Sequence, residues 1–87
     1  MSTADLIRER LAALEPETLT LEDESAQHRG HAGAAGGGGH FSLVIVSPKF
    51  RGLGTLARHR LVYETLGELM QRQIHALSIS ALTPEEL

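Results

Sequence analysis

An 87-residue chain of 9.4 kDa has room for one domain with one small core, burying only roughly 60–65% of the surface its unfolded form exposes. It contains no cysteine, which excludes disulfides, a thiolate nucleophile, a cysteine-based zinc site and a self-contained Cys₄ iron–sulfur cluster. A net charge of −3 and only three aromatic residues, Phe41, Phe50 and Tyr63, exclude a global basic field or a base-stacking platform for nucleic acid. Charge is nevertheless uneven: Lys49, Arg51, Arg58 and Arg60 fall within twelve residues and form a local basic patch. No apolar run approaches the ~20 residues that span a bilayer. Met1 to Arg10, with Asp5, Arg8, Glu9 and Arg10 in a helical pattern, is unlike a signal peptide. The expectation is a soluble, cytoplasmic protein.

In chain order, residues 4–14 read as a helix: Leu6, Ile7, Leu11 and Leu14 recur at helical spacing. Ser2-x-x-Asp5 or Thr3 is its cap and Pro16 its end. Thr18 to Glu22 alternates with β-prone residues and predicts a short strand. Residues 25–39 form a Gly/His loop. Four consecutive glycines, Gly36 to Gly39, are too costly in entropy for regular structure. Phe41 to Ser47 is the strongest strand, with Phe41, Leu43 and Ile45 on one face and Val44 and Val46 on the other, so burial on both sides is expected. Pro48 ends it, and a turn through Phe50, Gly52 and Gly54 leads to a helix capped by Thr55. Leu56, Val62, Tyr63, Leu66, Leu69 and Met70 mark the apolar face of that helix, and Gly67 inside it predicts a packing point or a break. Ile74 to Ala81 is the third strand, with His75, Leu77 and Ile79 on one face. Thr83-Pro84-Glu85-Glu86 starts a final helical turn. The result is a single α+β domain over 1–87, core about 4–83, in order α-β-β-α-(α)-β-α: two layers, with helices on one face of a three-stranded sheet.

Five histidines carry the chemistry. His28 and His31 lie in the loop, His40 opens the second strand, His59 sits between Arg58 and Arg60, and His75 opens the third strand. No catalytic elbow such as G-x-S-x-G and no phosphate-binding glycine motif is present, so an enzyme is not expected. Imidazole suits zinc, copper, nickel and iron, and His75 could meet the loop histidines if the loop folds over the sheet edge. The competing reading is that the loop histidines are solvated and His75 packs half-buried beside Leu77 and Ile79.

Taken together, several segments resemble the BolA-like proteins. They are His40-Phe41-x-Leu43-x-Ile45-Val46-Ser47, Phe50-x-Gly52, Arg58-His59-Arg60-Leu61-Val62-Tyr63, Ile74-His75-Ala76-Leu77-x-Ile79 and Thr83-Pro84-Glu85, with Glu24-Ser25-x-x-His28 upstream. The resemblance runs from about residue 4 to the end. It implies a fold like a class II KH domain. It also implies a partner, a monothiol glutaredoxin with a CGFS site, with which the chain would form a heterodimer sharing a bridged [2Fe–2S] cluster and glutathione. The role would be iron–sulfur cluster trafficking or iron-redox regulation. The isolated chain would be a monomer without a cofactor of its own.

By the same resemblance the loop is of the histidine type. The family's third-strand histidine maps onto His75. Its loop ligand maps onto His28 when counted from Glu24-Ser25 and onto His31 when counted back from His40-Phe41. Two histidines can replace two cysteines on one iron of such a cluster. The thiolates of the other iron would then have to come from outside this cysteine-free chain. The family is also linked to DNA binding and transcriptional control. The alternative site for that role is Lys49, Arg51, Arg58, His59 and Arg60, touching phosphates through local charge.

Overall fold

The computed structural model describes residues 1–25 and 39–87. His28, His31 and nearly all of the expected Gly/His loop fall on 26–38, outside the described residues. The elements are α1 (Thr3–Leu11), β1 (Thr18–Asp23), β2 (Gly39–Val46), α2 (Thr55–Leu66), α3 (Leu69–Arg72) and β3 (Ile74–Leu82), with 3₁₀ turns at Ala12–Leu14, Pro48–Phe50 and Pro84–Glu86. The fold is the expected small α+β domain. Its sheet is mixed, in order β1-β2-β3, with β1 antiparallel and β3 parallel to the central strand.

Helix α1 starts where Ser2 and Asp5 form a reciprocal capping box: the Ser2 hydroxyl accepts the Asp5 N–H, and the Asp5 carboxylate accepts the Ser2 N–H. Its end differs from the expectation. The α-helix stops at Leu11 and tightens into the 3₁₀ turn, and Glu15 takes a left-handed backbone (φ 50) ahead of Pro16. Thr55 is not the cap of α2 but its first residue; Gly54 occupies the cap position, with no side-chain hydrogen bond. Gly67 resolves as a break, with a φ of 57 that separates α2 from α3. Opposite it, Arg10 donates to the Leu66 carbonyl (3.1 Å) and covers the end of α2.

The core lies between the helices and one face of the sheet. Ile7, Leu11 and Leu14 from the N-terminal segment, and Val62, Leu66 and Leu69 from α2 and α3, pack with Leu21, Phe41, Leu43, Ile45 and Ile74. Leu56 and Tyr63 of the predicted helical face are exposed instead. They sit at the margins of the stripe, which is narrower than the pattern of apolar letters suggests. Nor is β2 covered on both sides. Val44 is exposed while Val46 is buried, so burial of the second face is confined to the end of the strand. The rest of that outer face is polar and small: Thr18, Thr20 and Glu22 on β1, Ser42 on β2, Ser78 and Ser80 on β3, placed side by side by the register.

Candidate metal centre

Strands β2 and β3 are parallel, so their first residues lie at the same end of the sheet. There the register is irregular: Gly39 pairs with Ile74, but the next residue, His40, pairs with Ala76. Two residues of β3 therefore oppose one of β2, a β-bulge at His75. Strict alternation would have put His75 on the inner face with Leu77 and Ile79. The bulge overturns that expectation. Ile74 is buried, His75 and Ala76 are both exposed, and alternation resumes at Leu77. His75 is turned to the outer face.

There it meets His40, which also points outward because Phe41, the next residue, points into the core. The two imidazoles have their centroids 4.9 Å apart with their planes tilted by 38°. Several hydrogen bonds hold this corner. The Gly39 N–H donates to the Gln73 carbonyl (2.9 Å) and the Glu24 N–H to the His40 carbonyl (2.7 Å). The His40 N–H donates to the Ser25 hydroxyl (3.0 Å), and the Ser25 N–H donates to the Asp23 carboxylate (2.9 Å). Hydrogen bonds from the Ser25 hydroxyl and N–H hold the Asp23 carboxyl below the usual carboxylate range. Gly39 has its own reason: a Cβ there would collide with the Phe41 ring, and that ring is buried.

Of the three predicted ligands, His75 is thus presented outward, while His28 and His31 lie outside the described residues. The imidazole that the structure sets beside His75 is that of His40, which sequence reasoning did not count among the ligands. Spacing gave no signal, since 35 positions separate it from His75 and the bulge creates their contact. Each opens one of two adjacent strands, and that shared position was the available clue. Among the described residues no group of three potential ligands is assembled.

The basic patch is organised quite differently. Arg58 is mostly buried, its side chain 15% exposed. It donates to the Leu53 carbonyl (2.8 Å), to the Ala81 carbonyl (3.0 Å) and through both terminal nitrogens to the Glu86 carboxylate (2.6 and 3.2 Å). Arg51 forms a two-pronged pair with Glu85 (2.8 and 2.5 Å), and Lys49 lies 3.6 Å from Glu15. Arg58, followed by the Thr83 N–H, depresses Glu86 to about 2, and Arg51 lowers Glu85. Arg60 is exposed and His59 half-buried on α2. Three of the four patch cations therefore already face a carboxylate. A shallow groove of about 470 Å³, lined by Tyr63, Glu64, Gly67, Met70 and Gln71, shares no residue with either site.

Comparison with known proteins adds the lineage. The model of the family described as BolA-like protein matches residues 11–86. The chain is 47% identical over 87 residues to chloroplastic protein BOLA1 of Arabidopsis thaliana, covering 95% of this chain and 54% of that protein. It is 40% identical over 86 residues to the DNA-binding transcriptional regulator BolA of Escherichia coli K12, covering 93% of this chain and 79% of that one. Among solved structures, BolA1 from Arabidopsis thaliana superposes with a TM-score of 0.86 at 45% identity, covering 100% of this chain and 97% of that one. The chain spans about half the length of the chloroplastic relative. No helix among the described residues is long and apolar enough to cross a membrane.

Proposed function

Because the chain belongs to the BolA-like protein family, we propose that it partners a monothiol CGFS glutaredoxin and shares with it a bridged [2Fe–2S] cluster, in iron–sulfur cluster trafficking or iron-redox regulation. The observation that carries this reading is the bulge that turns His75 out of the core. An imidazole packed beside Leu77 and Ile79 would be of no use to a partner; one on the outer face can be shared. The donor chemistry fits, since imidazoles can hold one iron of a [2Fe–2S] centre while thiolates hold the other. The chain has no thiolate, so the partner's cysteine and glutathione would supply them. His75 is the protein ligand, and His28 or His31 completes the set from the loop. Such a cluster passes between proteins rather than residing in this one. The cytoplasm is the proposed compartment, although the plant relative is chloroplastic.

The test is a visible absorption and circular dichroism titration of this protein into a cluster-loaded CGFS glutaredoxin with glutathione. The expected result is a changed cluster spectrum with the wild-type chain and none with His75→Ala. An unchanged spectrum with both proteins would sink the proposal.

A second reading, DNA binding, draws on the name of the E. coli relative. In this chain it would rest on Lys49, Arg51, Arg58, His59 and Arg60. Phosphates would have to displace Glu15, Glu85 and Glu86 from the first three. Binding of that kind would be weak and steeply salt-dependent.

A further inference from the structure

We propose that His40 and His75 form a two-imidazole site for a single borderline divalent cation, Cu²⁺ above Ni²⁺ or Zn²⁺, in this chain without any partner. The proposal shares His75 with the cluster reading but needs neither glutaredoxin nor thiolate.

The ring separation fits a shared ion. A metal–nitrogen bond of about 2.0–2.1 Å places each ring centroid roughly 3.2 Å from the ion. Two imidazoles on one ion, at about 90–110° to each other, then have centroids roughly 4.5–5.3 Å apart by the same bond length. The separation here is 4.9 Å. Aromatic pairs favour an offset parallel or an edge-to-face arrangement, and the observed 38° tilt is neither.

The pair is also preorganised. Both histidines sit on strands rather than on loops, and hydrogen bonds from Gly39 to Gln73, from Glu24 to His40 and from His40 to Ser25 fix the backbone between them. A ligand pair fixed before the ion arrives costs little to order. Glu22 lies exposed on the same outer face, and Asp23 is held ionised beside Ser25, so the local field favours a cation. Among the described residues no group of three donors is assembled, so the proposed protein ligands are the two imidazoles. Imidazole donors and the Irving–Williams order place Cu²⁺ first.

The test titrates Cu²⁺ into the isolated full chain, read by electron paramagnetic resonance and by competition with a chelator of known affinity. One equivalent should bind with hyperfine coupling to two nitrogens. That signal should survive in the His28→Gln/His31→Gln double variant. His40→Gln and His75→Gln should each weaken binding by at least about tenfold, the equivalent of 1.4 kcal/mol. Retention of full affinity in His40→Gln, or its loss in the loop double variant, would overturn the proposal. A measurement without mutants guards against misfolding: on adding Zn²⁺ to the wild-type chain, the ring resonances of His40 and His75 should shift together. A shift of loop histidine resonances alone would refute the site. The cluster titration separates the two ideas. His40→Gln that still alters the cluster spectrum but has lost Cu²⁺ supports this site and leaves the glutaredoxin reading standing. Wild-type chain that binds Cu²⁺ through the pair but leaves the cluster unchanged supports this site and ends that reading.

Discussion

The two ends of the sheet are built on opposite plans. Where β2 and β3 finish, Ser47 and Arg58 are spent on the fold. The buried Ser47 hydroxyl donates to the Leu14 carbonyl and accepts the Lys49 N–H. The Ser47 N–H donates to the Leu82 carbonyl, and Arg58 binds two carbonyls and Glu86 at once. Where the same strands begin, the polar backbone groups are equally well held, yet two imidazoles are set on the outer face by a bulge. Side chains engaged in holding a fold are poorly placed to engage anything else. The difference teaches that charge alone does not mark a site: the clamped end carries more of it but spends its cations on the fold, whereas the other end turns the His75 imidazole outward.

The largest effect expected from breaking this contrast is at the clamped end. Arg58→Ala removes hydrogen bonds to two backbone carbonyls from a mostly buried guanidinium, and bonds of that charged type contribute about 1.5–3 kcal/mol each. Bonds that share one guanidinium are not additive, so a combined loss of roughly 2–4 kcal/mol is expected, lowering the thermal midpoint by on the order of 10–30 °C in a domain of this size. Arg60→Ala, on an exposed residue of the same helix, should stay within about 0.5 kcal/mol. Thermal unfolding followed by circular dichroism reads both. Equal midpoints for the two variants would mean that the clamp does not form. The pair also bears on DNA binding: loss of retention in Arg58→Ala would report a loosened fold, whereas loss in Arg60→Ala would report a contact.

Gly39→Ala probes the histidine end. The added methyl meets the buried Phe41 ring, and overpacking of that kind costs about 1–3 kcal/mol. The more telling effect is on geometry, because relief requires the start of β2 to move and the bulge opposite to shift with it. The contact between the two imidazole rings should be lost, as read by nuclear Overhauser effects, while contacts around Arg58 persist. An intact ring pair in that variant would mean that the bulge does not depend on Gly39.

How much of this was legible in the sequence follows from what sets each feature. Local patterns set the strands, which were readable, and offered the Ser2–Asp5 cap and the break at Gly67 each as one of two alternatives that the fold decides. The two-layer architecture followed from their order. The outward turn of His75 was not readable, because a one-residue bulge overrides alternation just at Ile74 and His75 and is set by pairing with a strand far away in the chain. Nor was the neutralised patch: Lys49, Arg51 and Arg58 read as a free basic surface because Glu15, Glu85 and Glu86 reach them only in the folded chain. The contact of His40 with His75 was hidden for the same reason, because the bulge that creates it is not written in the spacing of either residue.

The smallest effect is the acid response of the clamp. Glu86 ordinarily titrates near 4.5, and Arg58 and the Thr83 N–H hold it near 2 in the fold. A carboxyl depressed in the folded state stabilises it at every pH above the unfolded value. That contribution is lost as pH falls from about 4.5 towards 2, and Glu85, lowered by Arg51, acts in the same direction. Both carboxylates are exposed, so solvent and salt screen the effect. The thermal midpoint should hold from pH 7 to about 5 as far as these groups set it, and then decline. Glu86→Gln should flatten part of that decline and leave the His40–His75 contact untouched. A carboxyl resonance of Glu86 that titrates near 4.5 in the wild-type chain would show that Arg58 leaves it free in solution, and the contrast between the two ends would then rest on the carbonyl contacts of Arg58 and on Ser47 alone.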